Sequence, residues 1–443
     1  MESVFSFILG VATILVGVVL SVGLHEIGHL VPAKLFKVKV TQYMVGFGPT
    51  LWSRRRGETE YGVKAIPLGG YISMIGMFPP NASGGKARSA TTGFFDTLVQ
   101  SARASSAETV AAGEEARSFY RLAVWKRVII MVGGPLMNAL IAIALTAVVV
   151  CGLGVPQSST TVDSVSACVL PQTTKGRDCS SADPVSPGAA AGFVPGDRLV
   201  SIDGVSVASW AESTSIIRDS PGKPLSFVVD RGGVDKTLIV TPMTNEVYRT
   251  DPAGTVVKGA DGKPQTLEVG FIGIGPRSET VYQPVTAVLP TVGTNVAHVL
   301  QMIANLPQRL VDVANAAFGP GQRDINGPMS VVGVGRVAGE ITSLDAVPVE
   351  NKVAGLVSLI ASLNVALFVF NLIPLLPLDG GHIFGALCEG LRRFFARLFK
   401  RRDPGPIDTA KFMPVTFGVV ILLGAMSLLL IYADIVKPVT IGR

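Results

Sequence analysis

The stretch Ser3–Leu24, followed by His25-Glu26-Ile27-Gly28-His29, decides how the rest of the chain is organised. Ser3–Leu24 carries no ionisable side chain and is long enough to span a bilayer as a helix. On a helix, two histidines four positions apart lie on one face, one turn from each other. Their imidazoles can share one Zn²⁺, and the glutamate between them can reach a water on that ion. The sequence therefore predicts a zinc site at the end of a transmembrane helix.

Composition indicates a multi-span membrane protein. Of 443 residues, 48% are hydrophobic and only 16% are charged, whereas soluble proteins carry about 25% charged residues. We expect the first apolar stretch to be retained, because it lacks the basic start and the small-residue cleavage site of a signal peptide. A spanning helix needs about 20 apolar residues, and we predict four spans from stretches that are uncharged and predominantly apolar over that length: Ser3–Leu24, Val128–Val155, Val353–Leu378 and Phe412–Ala433.

Basic residues indicate the orientation in the cell membrane. Lys and Arg number 14 from Lys34 to Arg127 and seven from Arg392 to Lys411. Positive loops stay in the cytoplasm, so we expect both termini and the long Cys151–Asn351 segment to be extracytoplasmic. The net charge of +6 then reflects orientation, and we expect no nucleic-acid partner. The run Lys400-Arg401-Arg402 fits a contact with the headgroups of the lipid bilayer.

The residues after the motif predict strands at Val38–Leu51, Glu60–Ile66 and Gly70–Met74. They form either a small cytoplasmic hairpin or a sheet docked at the membrane beside the zinc. Because the segment follows the motif directly and stays apolar, we favour the docked sheet. Pro79–Ser118 then reads as an inserted linker, with a loose helix at Thr97–Arg117.

The third span contains the residues that complete the site. It runs through Asn371-Leu372-Ile373-Pro374-Leu375-Leu376-Pro377-Leu378-Asp379-Gly380. Prolines and glycines break a helix, and broken backbone at membrane depth is tolerated only where it lines a protein or water cavity. An aspartate at that depth is a functional candidate. Topology places Asp379 and the histidine motif at the same inner ends of their spans, so one metal can touch both.

Catalytic zinc takes three protein ligands and leaves one position for water. We expect His25, His29 and Asp379 to be those ligands. Glu26 would take the proton from the water and pass it to the leaving amine. Asn371, on the broken helix, is a candidate to orient the substrate or to stabilise the oxyanion.

Thr161–Thr241 reads as a compact α/β module. Ser186–Phe193 opens a short helix, Leu199–Ile202 is a strand closed by Asp203-Gly204, and Trp210–Arg218 is helical. In spacing, this segment resembles a PDZ domain of the bacterial protease type, a fold that binds an extended peptide end as an added strand. Cys168 and Cys179 fall in an insertion, where an oxidising compartment permits a disulfide.

The predicted fold class is a polytopic α-helical membrane protein with about four transmembrane helices, a membrane-associated β-sheet and an extracytoplasmic α/β PDZ domain. The expected segments are the first helix with its motif (1–36), the β-loop (37–78), the linker (79–120), the second helix (121–156), the PDZ domain (160–245), further strands and amphipathic helices (246–351), the third helix with Asp379 (352–382), a basic loop (383–411) and the fourth helix (412–434).

These motifs together resemble the site-2 proteases, membrane-embedded zinc metalloproteases of regulated intramembrane proteolysis, in the bacterial branch that includes the regulator of sigma-E protease. The resemblance implies zinc held by the histidine pair and Asp379, Glu26 as base, and Asn371 in substrate handling. It also implies single-span membrane protein substrates such as anti-sigma factors. The motifs that carry it are HEIGH at 25–29, GFGP at 46–49, GETEY at 57–61, IPLGGY at 66–71, GPLMN at 134–138 and NLIPLLPLDG at 371–380.

Two other classes of protein remain open from the residues alone. A metal transporter would use the same ligands as a transit site, but it calls for polar residues in several spans and for internal repeats. An inactive scaffold presenting the PDZ domain has no need for Glu26 between the histidines. Metal uptake into vesicles tests the first alternative, and the phenotype of Glu26→Gln tests the second.

Overall fold

The computed structural model describes residues 2–79, 94–170, 179–180, 183–249, 257, 259, 265–319, 323–324, 327–344 and 347–439. Residues 80–93 of the predicted linker lie outside this part. The helices are α1 Glu2–Leu35, α2 Phe94–Glu108, α3 Val124–Ala147, α4 Pro187–Ala190, α5 Trp210–Arg218, α6 Val288–Ala304, α7 Leu306–Phe318, α8 Val331–Ser343, α9 Val349–Asn371, α10 Asp379–Leu398 and α11 Met413–Val436. The strands are β1 Val40–Arg56, β2 Thr59–Met74, β3 Val155–Val165, β4 Arg198–Ile202, β5 Val205–Ser206, β6 Leu225–Arg231, β7 Val234–Val240, β8 Met243–Tyr248, β9 Thr266–Phe271 and β10 Ile274–Val281.

The chain forms two compact units. Met1–Leu153 and Pro284–Arg443 make the first, which we call the membrane unit. Gly154–Gln283 make the second, which we call the β-rich unit. Each unit has its own buried apolar core.

Five helices among the described residues are long and apolar enough to cross a membrane. Four of them contain or overlap the four predicted spans. The fifth is Val285–Ala304, in a region for which the sequence predicted amphipathic helices. This helix is uncharged, but Pro, Thr, Asn and His residues interrupt its apolar side chains. Those polar groups lower its hydropathy and explain why it was not counted as a span.

α1 is the central helix of the membrane unit, and it packs against α3, α8 and α9. Ile14 and Val18 of α1 form a buried cluster with Ala338 and Leu356. Mutual burial of apolar side chains of this kind accounts for most of the stability of helix packing in water, and close packing takes that role in a bilayer.

The third predicted span is shorter than expected, because α9 ends at Asn371 and α10 begins at Asp379. Pro374 and Pro377 lie between the two helices, and a proline ring prevents a continuous helical hydrogen-bond ladder. The segment predicted as a basic loop over 383–411 begins as a helix, since α10 continues to Leu398. Its place as a loop between two spans stays a prediction.

β1 and β2 each bend, so that two long strands build a sheet whose two edges pair with no other strand of the described residues. Residues 42–45 of β1 pair with 70–73 on one side and with 60–63 on the other. Residues 52–56 pair with 59–63 and form the second edge. The bends fall at Gly46, Gly48 and Gly69, whose φ angles of 94°, 85° and 98° are accessible to glycine at little cost.

The β-rich unit is built on a sheet with strand order β10-β3-β4-β6-β7, with β5 paired to β4. Phe227, Val229, Leu199 and Ile202 form its buried core. The unit is larger than the module predicted at 160–245, because β10 pairs along β3 and adds residues up to Gln283. A disulfide joins Cys168 to Cys179.

Candidate metal centre

The histidine motif lies within α1, which continues past it to Leu35. His25 and His29 are one turn apart, as the spacing predicts, and both are buried. Their Nε2 atoms are 3.2 Å from each other. The two rings are therefore already directed at one common point.

Asp379 completes a triangle with the two rings. Its Oδ2 atom is 3.3 Å from His25 Nε2 and 3.3 Å from His29 Nε2. Donor atoms about 2.0–2.1 Å from a tetrahedral Zn²⁺ lie about 3.3–3.4 Å apart, so the spacing fits that ion. Asp379 Oδ2 is buried and has no hydrogen-bond partner, which is costly for a carboxylate unless a cation neutralises it. Among the described residues, these three form the one cluster of possible metal ligands.

Glycines explain how α1 and α3 approach closely enough to frame this site. A Cβ on Gly28 would lie 2.2 Å from the carbonyl oxygen of Gly133, and a Cβ on Gly133 would lie 2.0 Å from that of Gly28. Gly134 faces the ligands, since a Cβ there would lie 2.2 Å from His29 Nε2. Gly28 and Gly133 thus allow backbone contact between two helices, and Gly134 leaves room for the two imidazoles.

α3 also orients both imidazoles through their second nitrogens. His29 Nδ1 lies 2.7 Å from the Ile130 carbonyl oxygen and donates to it, which leaves Nε2 free for a metal. Asn138 Nδ2 lies 3.1 Å from His25 Nδ1. The buried Oδ1 atom of the same Asn138 amide has no hydrogen-bond partner. With a metal on Nε2, Nδ1 carries the proton, and turning the amide over would pair Oδ1 with it. Such partners fix the ring orientation and raise ligand basicity.

Glu26 and Asn371, the other two predicted site residues, line the same pocket as the three ligands. Glu26 is buried on α1, and Asn371 is the last residue of α9. The pocket also has a wall from β2, including Gly70, Tyr71 and Ile72. The structure thus brings all five predicted residues to one place.

Sequence reasoning did not assign a role to some residues around the pocket. His382, one turn after Asp379 on α10, lines it, and the Ile130 carbonyl orients a ligand. The position of His382 three residues after Asp379 was a usable signal. A backbone carbonyl, by contrast, leaves no mark in a sequence.

The comparisons with known proteins agree with this geometry. A family model described as Peptidase family M50 matches residues 13–401. The zinc metalloprotease Rip1 of Mycobacterium tuberculosis is 32% identical over 441 residues, covering 98% of each chain. Rip1 of Mycolicibacterium smegmatis is 32% identical over 447 residues, covering 98% of this chain and 99% of that one.

A membrane protein with several apolar helices around a two-histidine, one-carboxylate cluster is the class that the fold and the site define. The chain belongs to peptidase family M50, the site-2 proteases. The predicted family, the enzyme class of zinc metalloendopeptidase and the cofactor Zn²⁺ are confirmed.

Proposed function

We propose that the chain hydrolyses peptide bonds within transmembrane segments of single-span membrane proteins such as anti-sigma factors, in regulated intramembrane proteolysis. The observation that carries the proposal is the triangle of His25, His29 and Asp379, set among bilayer-length helices beside the edge of a β-sheet. The helix that carries both histidines is itself long and apolar enough to cross a bilayer. The expected output is signalling to transcription.

In this proposal His25, His29 and Asp379 hold the zinc, which polarises the attacking water and the scissile carbonyl. Glu26 lines the same pocket and takes the proton of the water as general base. It then returns that proton to the leaving amine. Asn371, at the broken end of α9, positions the substrate or donates a hydrogen bond to the developing oxyanion.

Glu26→Gln tests the proposed reaction. The amide keeps the size of the side chain but cannot accept the proton, so we expect zinc content near that of the parent and loss of cleavage by about 10²-fold or more. Cleavage of a reporter membrane protein in reconstituted vesicles is the measurement. Glu350→Gln, at the exposed start of α9, is the matched control and should cleave normally. Normal cleavage by Glu26→Gln would remove Glu26 from the role of base.

Asp379→Ala tests the ligand set. Loss of one of three protein ligands should lower zinc retention in purified protein, measured as metal per chain after dialysis. Asp312→Ala removes an exposed carboxylate on α7 and should retain zinc. Unchanged metal content in Asp379→Ala would exclude it as a ligand.

A transmembrane substrate must be unwound before hydrolysis, because its peptide groups are hydrogen-bonded within a helix. Residues 70–73 of β2 form a sheet edge that could bind the unwound segment. Among the described residues, no strand pairs with the outer side of this edge. This edge lines the pocket, and a Cβ on Gly70 would lie 3.0 Å from Glu26 Cγ. We propose that the substrate binds there as an added strand.

Photo-crosslinking distinguishes this edge from the other edge of the same sheet. A benzophenone amino acid replaces Tyr71 on the pocket edge or Trp52 on the far edge, each in the Glu26→Gln background. We expect reporter adducts from position 71 and few from position 52. Equal adducts at both positions, or adducts at 52 alone, would contradict strand addition at the pocket.

The basic loops support a topology with both termini outside and the metal site toward the cytoplasm. In that topology the β-rich unit is extracytoplasmic, where its disulfide is stable. We propose that this unit is a PDZ domain, that it binds a peptide end, and that it excludes substrates whose outer domain has not been trimmed. The segment boundaries predicted from the sequence remain proposals.

A further inference from the structure

α10 presents an apolar face that no other described element covers. Its side chains recur at helical spacing and are strongly exposed, for example Phe384 at 54%, Leu391 at 57% and Phe394 at 60%. A continuous stripe of this kind is unfavourable in water, since exposed apolar patches mark an interaction surface. The stripe consists of Phe384, Leu387, Leu391, Phe394, Phe395 and Leu398.

The opposite face of α10 is fixed against the protein. Gly385, Ala386 and Glu389 are buried there, and α10 packs on α3. Glu389 Oε1 accepts a hydrogen bond of 2.5 Å from Arg127 Nη2 of α3, and its Oε2 accepts one of 3.0 Å from the Ile407 amide. Because these contacts set the rotation of α10, the exposed stripe has a defined direction, away from α3.

The position of α10 in the chain places it at the membrane surface. α9 ends at Asn371 and the next candidate span is Thr409–Val436, so α10 follows one helix and precedes another that are each long and apolar enough to cross a bilayer. α10 itself is not among the candidate spans, and its second half contains three arginines. A helix with one apolar face and a charged remainder lies in the plane of the interface.

Charge identifies the kind of surface. Arg392 and Arg397 are exposed and, at 3.6 residues per turn, flank the apolar stripe on its two sides. Lys400, Arg401 and Arg402 follow at the end of the helix and are also exposed. Basic side chains beside an apolar stripe attract anionic headgroups. A second copy of the chain would instead bring these positive charges together, which is unfavourable.

We propose that α10 binds the surface of a bilayer rich in anionic phospholipid, with its stripe in the acyl boundary and its basic end on the headgroups. This contact adds a lipid-binding surface directly to the helix that begins with Asp379. It does not depend on the identity of the protease substrate.

Depth-dependent quenching tests the proposal on the full chain. Leu391→Cys carries an environment-sensitive fluorophore in a background with Cys151 and Cys388 replaced by serine. The protein is reconstituted in phosphatidylcholine alone, or in roughly two parts phosphatidylcholine to one part phosphatidylglycerol. We expect doxyl-lipid quenching of this label, with stronger quenching in the anionic vesicles. A label at Val234→Cys, exposed in the β-rich unit, gives the reference for an aqueous site.

The charge variant is Lys400→Gln/Arg401→Gln/Arg402→Gln. In this variant phosphatidylglycerol should no longer increase the quenching of the label at position 391, but the quenching in phosphatidylcholine alone should remain. Its matched control, Arg54→Gln/Arg55→Gln/Arg56→Gln, removes three neighbouring charges from the β1 end and should keep the increase. Quenching at Leu391 no greater than at Val234 would overturn the apolar contact. An increase that survives in the first variant would overturn the headgroup contact.

Discussion

Gly134 leaves the space that the metal ligands occupy. A single Cβ at this position would lie 2.2 Å from His29 Nε2 and 2.7 Å from His25 Cε1, far inside contact distance. The neighbours cannot move away easily, because His29 is held by the Ile130 carbonyl and His25 by Asn138.

We therefore expect Gly134→Ala to displace both imidazoles and to abolish zinc retention. The measurement is zinc per chain in purified protein. Gly418→Ala, on α11, has nothing within 4 Å of the added carbon and should retain zinc fully. Zinc retained at the parent level in Gly134→Ala would show that the ligands bind in a different arrangement.

The residues of the candidate site were largely predictable because metal chemistry restricts residue type and spacing. The i, i+4 histidines need only the geometry of a helix, and Asp379 was found from a break that a membrane tolerates only beside a cavity. The fit of Gly134 against the rings was not predictable, since it depends on which faces of α1 and α3 meet. Local sequence does not encode that contact.

At the scale of elements, α10 is attached to α3 by the buried pair Arg127 and Glu389, of which Glu389 is 1% exposed. Removing one partner leaves an unpaired buried charge, at a cost of about 3–5 kcal/mol. We expect Glu389→Ala to lower the stability of the membrane unit by that order, and to weaken zinc retention because α10 starts at Asp379. Thermal unfolding and metal content of the full chain are the measurements.

The double variant Arg127→Met/Glu389→Leu separates charge from packing. In the double variant neither residue of the pair leaves an unpaired buried ion. Most of the stability and zinc retention that Glu389→Ala loses should therefore return. If Glu389→Ala is unfolded and the double variant recovers neither stability nor zinc retention, packing rather than charge holds α10 on α3.

Elements with a single strong signal were predicted well, and those with mixed signals were not. Trp210–Arg218 is α5 with the expected bounds, because its caps and apolar spacing agree. The segment of α10 was treated as part of a basic loop because its arginines were used to predict membrane orientation, although they flank an apolar stripe. Val285–Ala304 was not counted as a span because its Thr and Asn residues dilute a long uncharged segment.

At the scale of the molecule, the two compact units should respond separately to a change within one of them. In the β-rich unit, buried Asp197 accepts hydrogen bonds of 2.6 Å and 2.8 Å from Arg231 and one of 3.0 Å from the Val194 amide. Burial alone would raise the pKa of Asp197, but these bonds outweigh it and hold the pKa below its ordinary value.

A carboxyl with a lowered folded-state pKa stabilises the folded state above its unfolded pKa of about 3.9. That contribution is lost as the pH falls through the folded-state pKa. We expect Asp197→Asn to destabilise the β-rich unit at pH 7 and to flatten its acid dependence below about pH 4. Urea unfolding followed by Trp210 fluorescence, with Trp52 and Trp125 replaced by phenylalanine, measures this.

Asp230→Asn is the matched control, since Asp230 pairs at 2.8 Å with the exposed Arg198 and surface pairs contribute little. Zinc content should be unchanged in both variants, because the metal centre lies in the other unit. An acid dependence in Asp197→Asn equal to that of the parent would assign the pH response to other groups.

The short pocket edge of β2 has a consequence for turnover. The pairing of this edge with β1 covers only residues 70–74, so a strand added there forms a brief ladder. Cutting that strand leaves two fragments, each with about half of the hydrogen bonds and each free to diffuse on its own. Under the proposed binding mode, hydrolysis therefore lowers the affinity of the sheet edge for the products. The peptides that the enzyme makes then do not inhibit it.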